Sequence, residues 1–241
     1  MSPRTVVVSD IHLGAIPEEN ERAFLAFLRT VGGLGDDLLI NGDLFDFWFE
    51  YRQVIPRGHF EVLSALRRLV TAGVPTRFLG GNHDGWAGSF LEEEIGIEIV
   101  EGPAILTVGG RTAYVAHGDG LGGGDWGYRL LKRASRSRAG RFAFRTLHPD
   151  LGIPAARAAS STKKRAAAGT GYDAVRAAHL AAHASSLLRA RSELDLVVFG
   201  HTHLPRVDEI EPNRYYLNPG DWIHHRTYAV VSSDEVQLHS V

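Results

Sequence analysis

The sequence predicts an α/β fold, and three observations carry that expectation. Short apolar runs bounded by Gly or polar turns recur along the chain. Segments with apolar residues at helical spacing alternate with these runs in the first half, as βαβ units require. Asp, Asn or His follows the runs closely, where open α/β sheets usually place their sites.

The elements read in order as follows. Thr5-Val6-Val7-Val8 is the first strand, with Asp10 and His12 just beyond it. Pro17 to Val31 is a helix whose face is Phe24, Leu25, Phe27 and Leu28. Asp37-Leu38-Leu39-Ile40 leads to Gly42-Asp43. His59 to Thr71 is a second helix, with Phe60, Leu63, Leu66 and Leu69 or Val70 expected on one face. Thr76 to Leu79 leads to Gly81-Asn82-His83-Asp84, Thr112 to Val115 leads to His117-Gly118-Asp119, and Leu194 to Phe199 leads to Gly200-His201-Thr202-His203. The Ala-rich run from Gly171 to Arg191 is a helix by propensity. Pro205 to Ile210, Tyr215 to Asn218, Thr227 to Ser232 and Val236 to Leu238 read as successive antiparallel strands.

The residues beyond the strands are the donor types of a two-metal phosphoesterase centre. In-line cleavage of a phosphate ester or anhydride needs a strong nucleophile at neutral pH and compensation for charge growing on phosphorus. Two divalent metals roughly 3.5–4 Å apart supply both. Asp10 and His12 would reach one metal, and Asp43, with two oxygens, would bridge both. Asn82, His117, His201 and His203 would complete a mixed nitrogen and oxygen set. The absence of thiolates suits manganese, iron or zinc in a catalytic rather than a structural site. His83 is expected to touch the substrate phosphate or donate a proton to the leaving oxygen, with Asp84 orienting it. Asp46 and Asp119 are candidates to back ligating histidines, or simple turn formers.

At 241 residues and 44% apolar, the chain can bury a sizeable core as one domain, 1–241. It has no Cys, hence no disulfides, which fits a reducing cytoplasm. A strand beginning at Thr5 leaves no room for a secretory signal, and no apolar run reaches membrane-spanning length. The net charge of −2 conceals an asymmetry: Leu121 to Arg191 holds fourteen Lys and Arg against three Asp, the remainder twelve against twenty-five acidic residues. A basic helical insertion, 121–191, beside an acidic body points to an anionic partner. Aromatic and leucine residues interleave with arginines in its first part. It could therefore lie on an anionic bilayer or close over the protein as a lid. Ser160-Ser161-Thr162-Lys163-Lys164-Arg165 offers hydroxyls and cations for a diphosphate, or is a solvated loop. His179 and His183, four apart, lack the Glu of a zinc-protease helix and read as an ordinary helix face. Phe47 and Trp48 read as core in preference to the lining of an acyl or uridine pocket, and His224 and His225 as a turn near the site.

The ordered words Asp10-x-His12, Gly42-Asp43, Gly81-Asn82-His83-Asp84, His117-Gly118-Asp119 and Gly200-His201-Thr202-His203 resemble the calcineurin-like metallophosphoesterase superfamily. That resemblance implies two sheets face to face with helices outside. Gly42-Asp43-Leu44-Phe45-Asp46-Phe47-Trp48, His117-Gly118-Asp119-Gly120-Leu121, Asp125-Trp126-Gly127-Tyr128 and the insertion are most similar to UDP-2,3-diacylglucosamine pyrophosphatases of lipid A synthesis. Many members of that group carry Arg where this chain has His83. The resemblance implies hydrolysis of UDP-2,3-diacylglucosamine by two divalent ions, manganese foremost. Asn82, His83, Tyr128, Arg157, Ser160 and Lys164 are the expected substrate contacts, in a cytoplasmic enzyme peripheral to the inner membrane. The alternatives are another phosphodiesterase, phosphatase or nuclease of the superfamily, or a non-catalytic scaffold of the same fold; nucleic acid is not the expected partner.

Overall fold

The computed structural model describes residues 2–84, 87–121, 137–159 and 174–241. Strand β1 (Thr5–Val8) and strand β2 (Asp37–Asn41) pair in parallel, Val6 beside Leu38 and Val8 beside Ile40. Strand β3 (Thr76–Leu79) continues beside β2, and β4 (Glu98–Val100) forms that edge. Between them run helices α1 (Glu18–Leu28), α2 (Val31–Leu34) and α3 (Phe60–Thr71). Such strands read as unbroken apolar runs because both of their faces are buried.

Strands β5 (Ala104–Val108) and β6 (Arg111–Val115) open a second sheet. Helices α4 (Arg138–Arg145), α5 (Pro149–Ala159) and α6 (Ala174–Ala190) follow. Then β7 (Leu196–Val198), β8 (Arg206–Glu211) and β9 (Arg214–Asn218) complete that sheet in the order β5-β6-β7-β9-β8. Finally β10 (Thr227–Val231) and β11 (Val236–Ser240) return to the first sheet, whose order is β11-β10-β1-β2-β3-β4. The last four strands are therefore two antiparallel hairpins in different sheets, and β9 lies parallel to β7.

The pleat sorts the core into layers. Val7, Leu39 and Leu79 face Val115, Val198 and Leu217 between the sheets. Val6, Val8, Leu38 and Ile40 face outward onto Phe24 and Phe27 of α1 and Leu66 of α3. On the far side, Val197, Phe199 and Tyr216 pack on Leu180, Ala184 and Leu188 of α6. The result is helices, sheet, sheet, helix, the two-sheet arrangement that the sequence leads one to expect. One residue departs from the helical pattern. Val62, Leu63, Leu66 and Leu69 form the buried face of α3, while Phe60, in its first turn, is 75% exposed.

Candidate metal centre

Parallel strands from both sheets end at one rim, and their loops meet there. Asp10 and His12 follow β1, Asp43 follows β2, Asn82 and His83 follow β3, His117 follows β6, and His201 and His203 follow β7. The loops are stitched by backbone bonds from Asp10 N–H to the Gly42 carbonyl (3.0 Å) and from His12 N–H to that of Asp43 (2.9 Å). Asp10, His12, Asp43, His201 and His203 all adopt left-handed backbone, with φ of 54°, 54°, 52°, 65° and 60°. For non-glycine residues this costs about 1–2 kcal/mol each, and such conformations concentrate at functional sites. Gly42, at φ 86°, has no alternative: a Cβ there would stand 2.3 Å from His117 Nδ1.

The side chains form two groups that share Asp43. In the first, His203 Nε2 lies 3.4 Å from Asp10 Oδ1 and 3.3 Å from His12 Nε2. In the second, His117 Nε2 lies 3.1 Å from Asp43 Oδ2, and His201 Nδ1 lies 3.0 Å from Asn82 Oδ1. The same Asp43 oxygen is 3.8 Å from His12 Nε2. Asp10, His12 and His203 thus bring ligand atoms together, as do Asp43, His117 and His201, and a third set joins His83 to His12 and Asp43. His117 Nε2 is buried and makes no hydrogen bond despite its closeness to Asp43. An imidazole nitrogen and a carboxylate oxygen converging at this distance fit a shared cation, and the mixed imidazole, carboxylate and amide set fits a divalent transition metal.

Outer partners fix the rings. His117 Nδ1 donates to the Asn41 carbonyl (3.0 Å) and His83 Nδ1 to that of Asp46 (2.8 Å), because a carbonyl only accepts. Both rings therefore turn Nε2 to the centre. The carboxylate of Asp46 lies 3.5 Å from His83 Nδ1 and 4.0 Å from His12 Nδ1. Asp10 accepts from the Ser9 hydroxyl (2.7 Å) and the His201 N–H (2.9 Å).

Burial shapes the titration of this cluster. It works against a charged His117, yet Asp43, with Asp10 behind it, raises that pKa well above the ordinary value. His203 likewise titrates high: burial opposes its charge, and Asp10 and Asp221 prevail. His201 is pushed down to about 3 by burial and by the His117 charge. Burial also holds His12 well below the ordinary histidine range. Protons and metal ions are thus competitors for these nitrogens.

The structure corrects the expected role of Asp84. Its carboxylate is fully buried and accepts backbone N–H groups of Leu44 (2.6 Å) and Gly81 (2.6 Å), tying the Asp43 and Asn82 loops together. Burial, and then the Asp43 charge, pushes its pKa up to about 7. The group that orients His83 is Asp46. Phe47 and Trp48 are core, Trp48 stacking on Phe45 at 4.3 Å. The Asp119 charge adds to the raising of His117 and opposes, without overcoming, the lowering of His201. His183 stacks on Phe199 as a helix-face residue would. Tyr128, Ser160 and Lys164 lie outside the described residues, as does the side chain of Arg157. Sequence reasoning missed Asp221, whose carboxylate lies against both His203 and His225. Its signal was the one it shares with Asp10 and Asp43, an Asp in the loop after a strand.

Residues 3–205 match the family model described as calcineurin-like phosphoesterase. The chain belongs to this family. Among curated relatives, the UDP-2,3-diacylglucosamine hydrolase of Porphyromonas gingivalis is 28% identical, over 100% of this chain and 98% of its own. That of Sodalis glossinidius is 29% identical, over 98% of this chain and 97% of its own. Among solved structures, Yfce, a phosphoesterase from E. coli, is 16% identical with a TM-score of 0.47, covering 98% of this chain and 92% of that one.

Proposed function

We propose that the protein is a metal-dependent pyrophosphatase that hydrolyses UDP-2,3-diacylglucosamine to UMP and 2,3-diacylglucosamine 1-phosphate, a step of lipid A synthesis. The observation that carries this reading is the convergence of Asp10, His12 and His203 with Asp43, His117 and His201 on one rim. Nearly full-length similarity to hydrolases of that name supports the substrate.

Asp10, His12, Asp43 and His203 would hold one metal ion, and Asp43, Asn82, His117 and His201 the other. Manganese is the expected ion, with iron or zinc as substitutes. When bound, the ions supply water activation at neutral pH and neutralise charge on the phosphoryl group. His83, its Nδ1 proton committed to the Asp46 carbonyl, presents Nε2 to the phosphate or to the leaving oxygen. Asn82 and His83 would touch the diphosphate, and Tyr128, Arg157, Ser160 and Lys164 would bind substrate from the basic insertion, 121–191. That insertion would hold the protein at the cytoplasmic face of the inner membrane. Among the described residues no helix is long and apolar enough to cross it.

The test is manganese-dependent release of UMP from the acylated substrate in detergent micelles, beside the deacylated sugar nucleotide and a chromogenic phosphodiester. Preference for the acylated substrate, and loss of turnover in Asn82→Ala and His117→Ala, are the expected results. Equal activity on the simple diester would discard the lipid substrate. Near wild-type rates in both variants would discard the site.

A further inference from the structure

Two asparagines end strands at the rim of the metal centre, and both are fully buried. Asn41 is the last residue of β2 and Asn218 the last of β9. Neither belongs to the ligand set. An amide withdrawn from water is costly unless its polar atoms are used, so the partners of these two side chains show what they hold.

Asn41 follows the pleat of its strand. Leu39 faces the second sheet, and Asn41, two residues on, faces it too. Its Nδ2 donates across to the carbonyl of Ala116 (3.0 Å), the residue before His117. Its own carbonyl accepts from His117 Nδ1 (3.0 Å). One residue thus grips the loop after β6 twice, at the peptide before His117 and at the imidazole ring. Asp43 stands two residues further along, and its Oδ2 lies 3.1 Å from His117 Nε2. A carboxylate from one sheet and an imidazole from the other are therefore linked through Asn41.

Asn218 makes a similar link within the second sheet. Its Nδ2 donates to the carbonyl of Gly200 (3.0 Å), the residue before His201. It also donates to the hydroxyl of Thr202 (3.0 Å), between His201 and His203, and its Oδ1 accepts the Gly220 N–H (2.9 Å) beside Asp221. The Gly200 N–H in turn donates to the His117 carbonyl (2.8 Å), which joins the two histidine loops. Gly200 also packs on the other ligand group, since a Cβ there would stand 2.7 Å from Asp10 Oδ2. Asn218 consequently braces the loops of both groups. Among the described residues, the Asn41 side chain reaches the loop of His117 alone.

A plain packing role fits Asn41 poorly. The layer between the sheets is built of aliphatic residues such as Leu39, Leu79, Val115 and Val198. Asn41 Oδ1 is buried there without a hydrogen bond among the described residues. An aliphatic side chain would fill the layer without burying an unmatched oxygen. What it could not do is hold the peptide before His117.

We propose that Asn41 and Asn218 are positioning residues of the metal centre. Asn41 sets His117 against Asp43 and so tunes the affinity of that metal position alone. Asn218 tunes both positions, through the residues that flank His201. The inference rests on the metal-site reading given above and is independent of the substrate.

The test is calorimetric titration of the metal-free full chain with manganese. Asn41→Val removes the amide and keeps most of its bulk, and Asn41→Ala covers the case in which Val overpacks. In either variant one of the two binding events should weaken about 10–100-fold while the other keeps its wild-type affinity. The metal-free Asn41→Val protein should melt near the wild-type temperature, because an unpaired oxygen is removed as the Ala116 carbonyl loses its donor. Asn218→Ala should weaken both events. Added to His117→Gln, Asn41→Val should change metal binding no further, since the ring it aims is gone; added to His203→Gln, it should keep its full effect. Unchanged titrations in the Asn41 variants, equal weakening of both events by them, or full additivity with His117→Gln would overturn the inference and leave Asn41 a staple between sheets. An unchanged titration in Asn218→Ala would remove Asn218 from it. A wild-type chain that binds two ions but releases no UMP strikes the proposed substrate alone. One that binds no divalent ion strikes the site reading and this inference together.

Discussion

His203 Nδ1 stands 3.2 Å from Asp221 Oδ2, and the other oxygen of that carboxylate lies 3.0 Å from His225 Nδ1. Asp221 is fully buried, and backbone N–H groups of His224 and His225 also point at it. Burial would raise its pKa, but the hydrogen bonds from His203 and His225 win and hold it well below the usual carboxylate range. It is therefore an anion that fixes which nitrogen His203 turns to the centre. Outer carboxylates of this kind typically change metal affinity by about 10–100-fold. Asp221→Asn should shift the metal dependence of activity to higher concentration by that factor, with turnover at saturating metal near wild type. An unchanged metal titration would refute this role.

The cluster's electrostatics set how metal binding depends on pH. His117 and His203 have raised pKa values, so the metal-free protein keeps protons where metal ions would sit. A ligating histidine must be neutral. Apparent affinity should accordingly fall as pH drops below these raised values, by about tenfold per unit for each proton displaced. Calorimetric titration with manganese in two buffers of different ionisation heat should report proton release, and His117→Gln should reduce it. Affinity that stays flat from mildly acid to alkaline pH would contradict the assignment of these nitrogens as ligands.

What the sequence made legible here, and what it hid, follows from locality. The convergence of the proposed ligands could be anticipated because each sits two to five residues past a strand end, often beside a glycine that lets the loops approach. Asp221 was hidden because its role depends on where the β9–β10 connection crosses from one sheet to the other, a contact with His203 across the rim. Asp84 was misjudged because a neighbour in sequence need not point the same way: in a tight turn its carboxylate faces the loop N–H groups while His83 faces the centre. Phe60 fitted the helical spacing of α3, but its first turn carries it off the buried face. Strands β4 and β5 escaped notice as edge strands, with half their side chains toward solvent.

Gly81 separates steric from chemical control of the site. A Cβ there would stand 2.1 Å from Asp43 Oδ1 and 2.5 Å from its backbone nitrogen, a clash that the loop can relieve only by moving the Asp43 carboxylate. Misplacement of about 1 Å can cost on the order of 10²-fold in rate. Gly81→Ala should lose at least that much activity. Gly33→Ala is the control: nothing lies within 4 Å of its added Cβ, and Ala at a helical position is favoured by about 0.5–1 kcal/mol. Full activity in Gly81→Ala would show that Asp43 is not held where the structure puts it.

Asp84 should behave as a loop clamp. Asp84→Ala strips the acceptor from the Leu44 and Gly81 N–H groups, and each buried group left unpaired costs roughly 1–3 kcal/mol. A lowered melting temperature and weaker metal binding are expected together, because the clamped loops carry Asp43 and Asn82. If Asp84→Ala instead melts like wild type and loses only turnover, the carboxylate acts on the reaction and the clamp reading falls.

His83 tests the division between holding metal and moving protons. Its Nδ1 is committed to Asp46, and its other nitrogen shares a metal-competent cluster with His12 and Asp43. A group that contacts phosphate or transfers a proton contributes about 10²–10⁴-fold to rate, whereas a ligand contributes to metal content. His83→Gln should therefore lose turnover in that range while retaining two metal ions per chain by elemental analysis. If metal content falls to one ion and rises again with excess manganese along with activity, His83 is a third-cluster ligand and the proton-transfer role passes to another group.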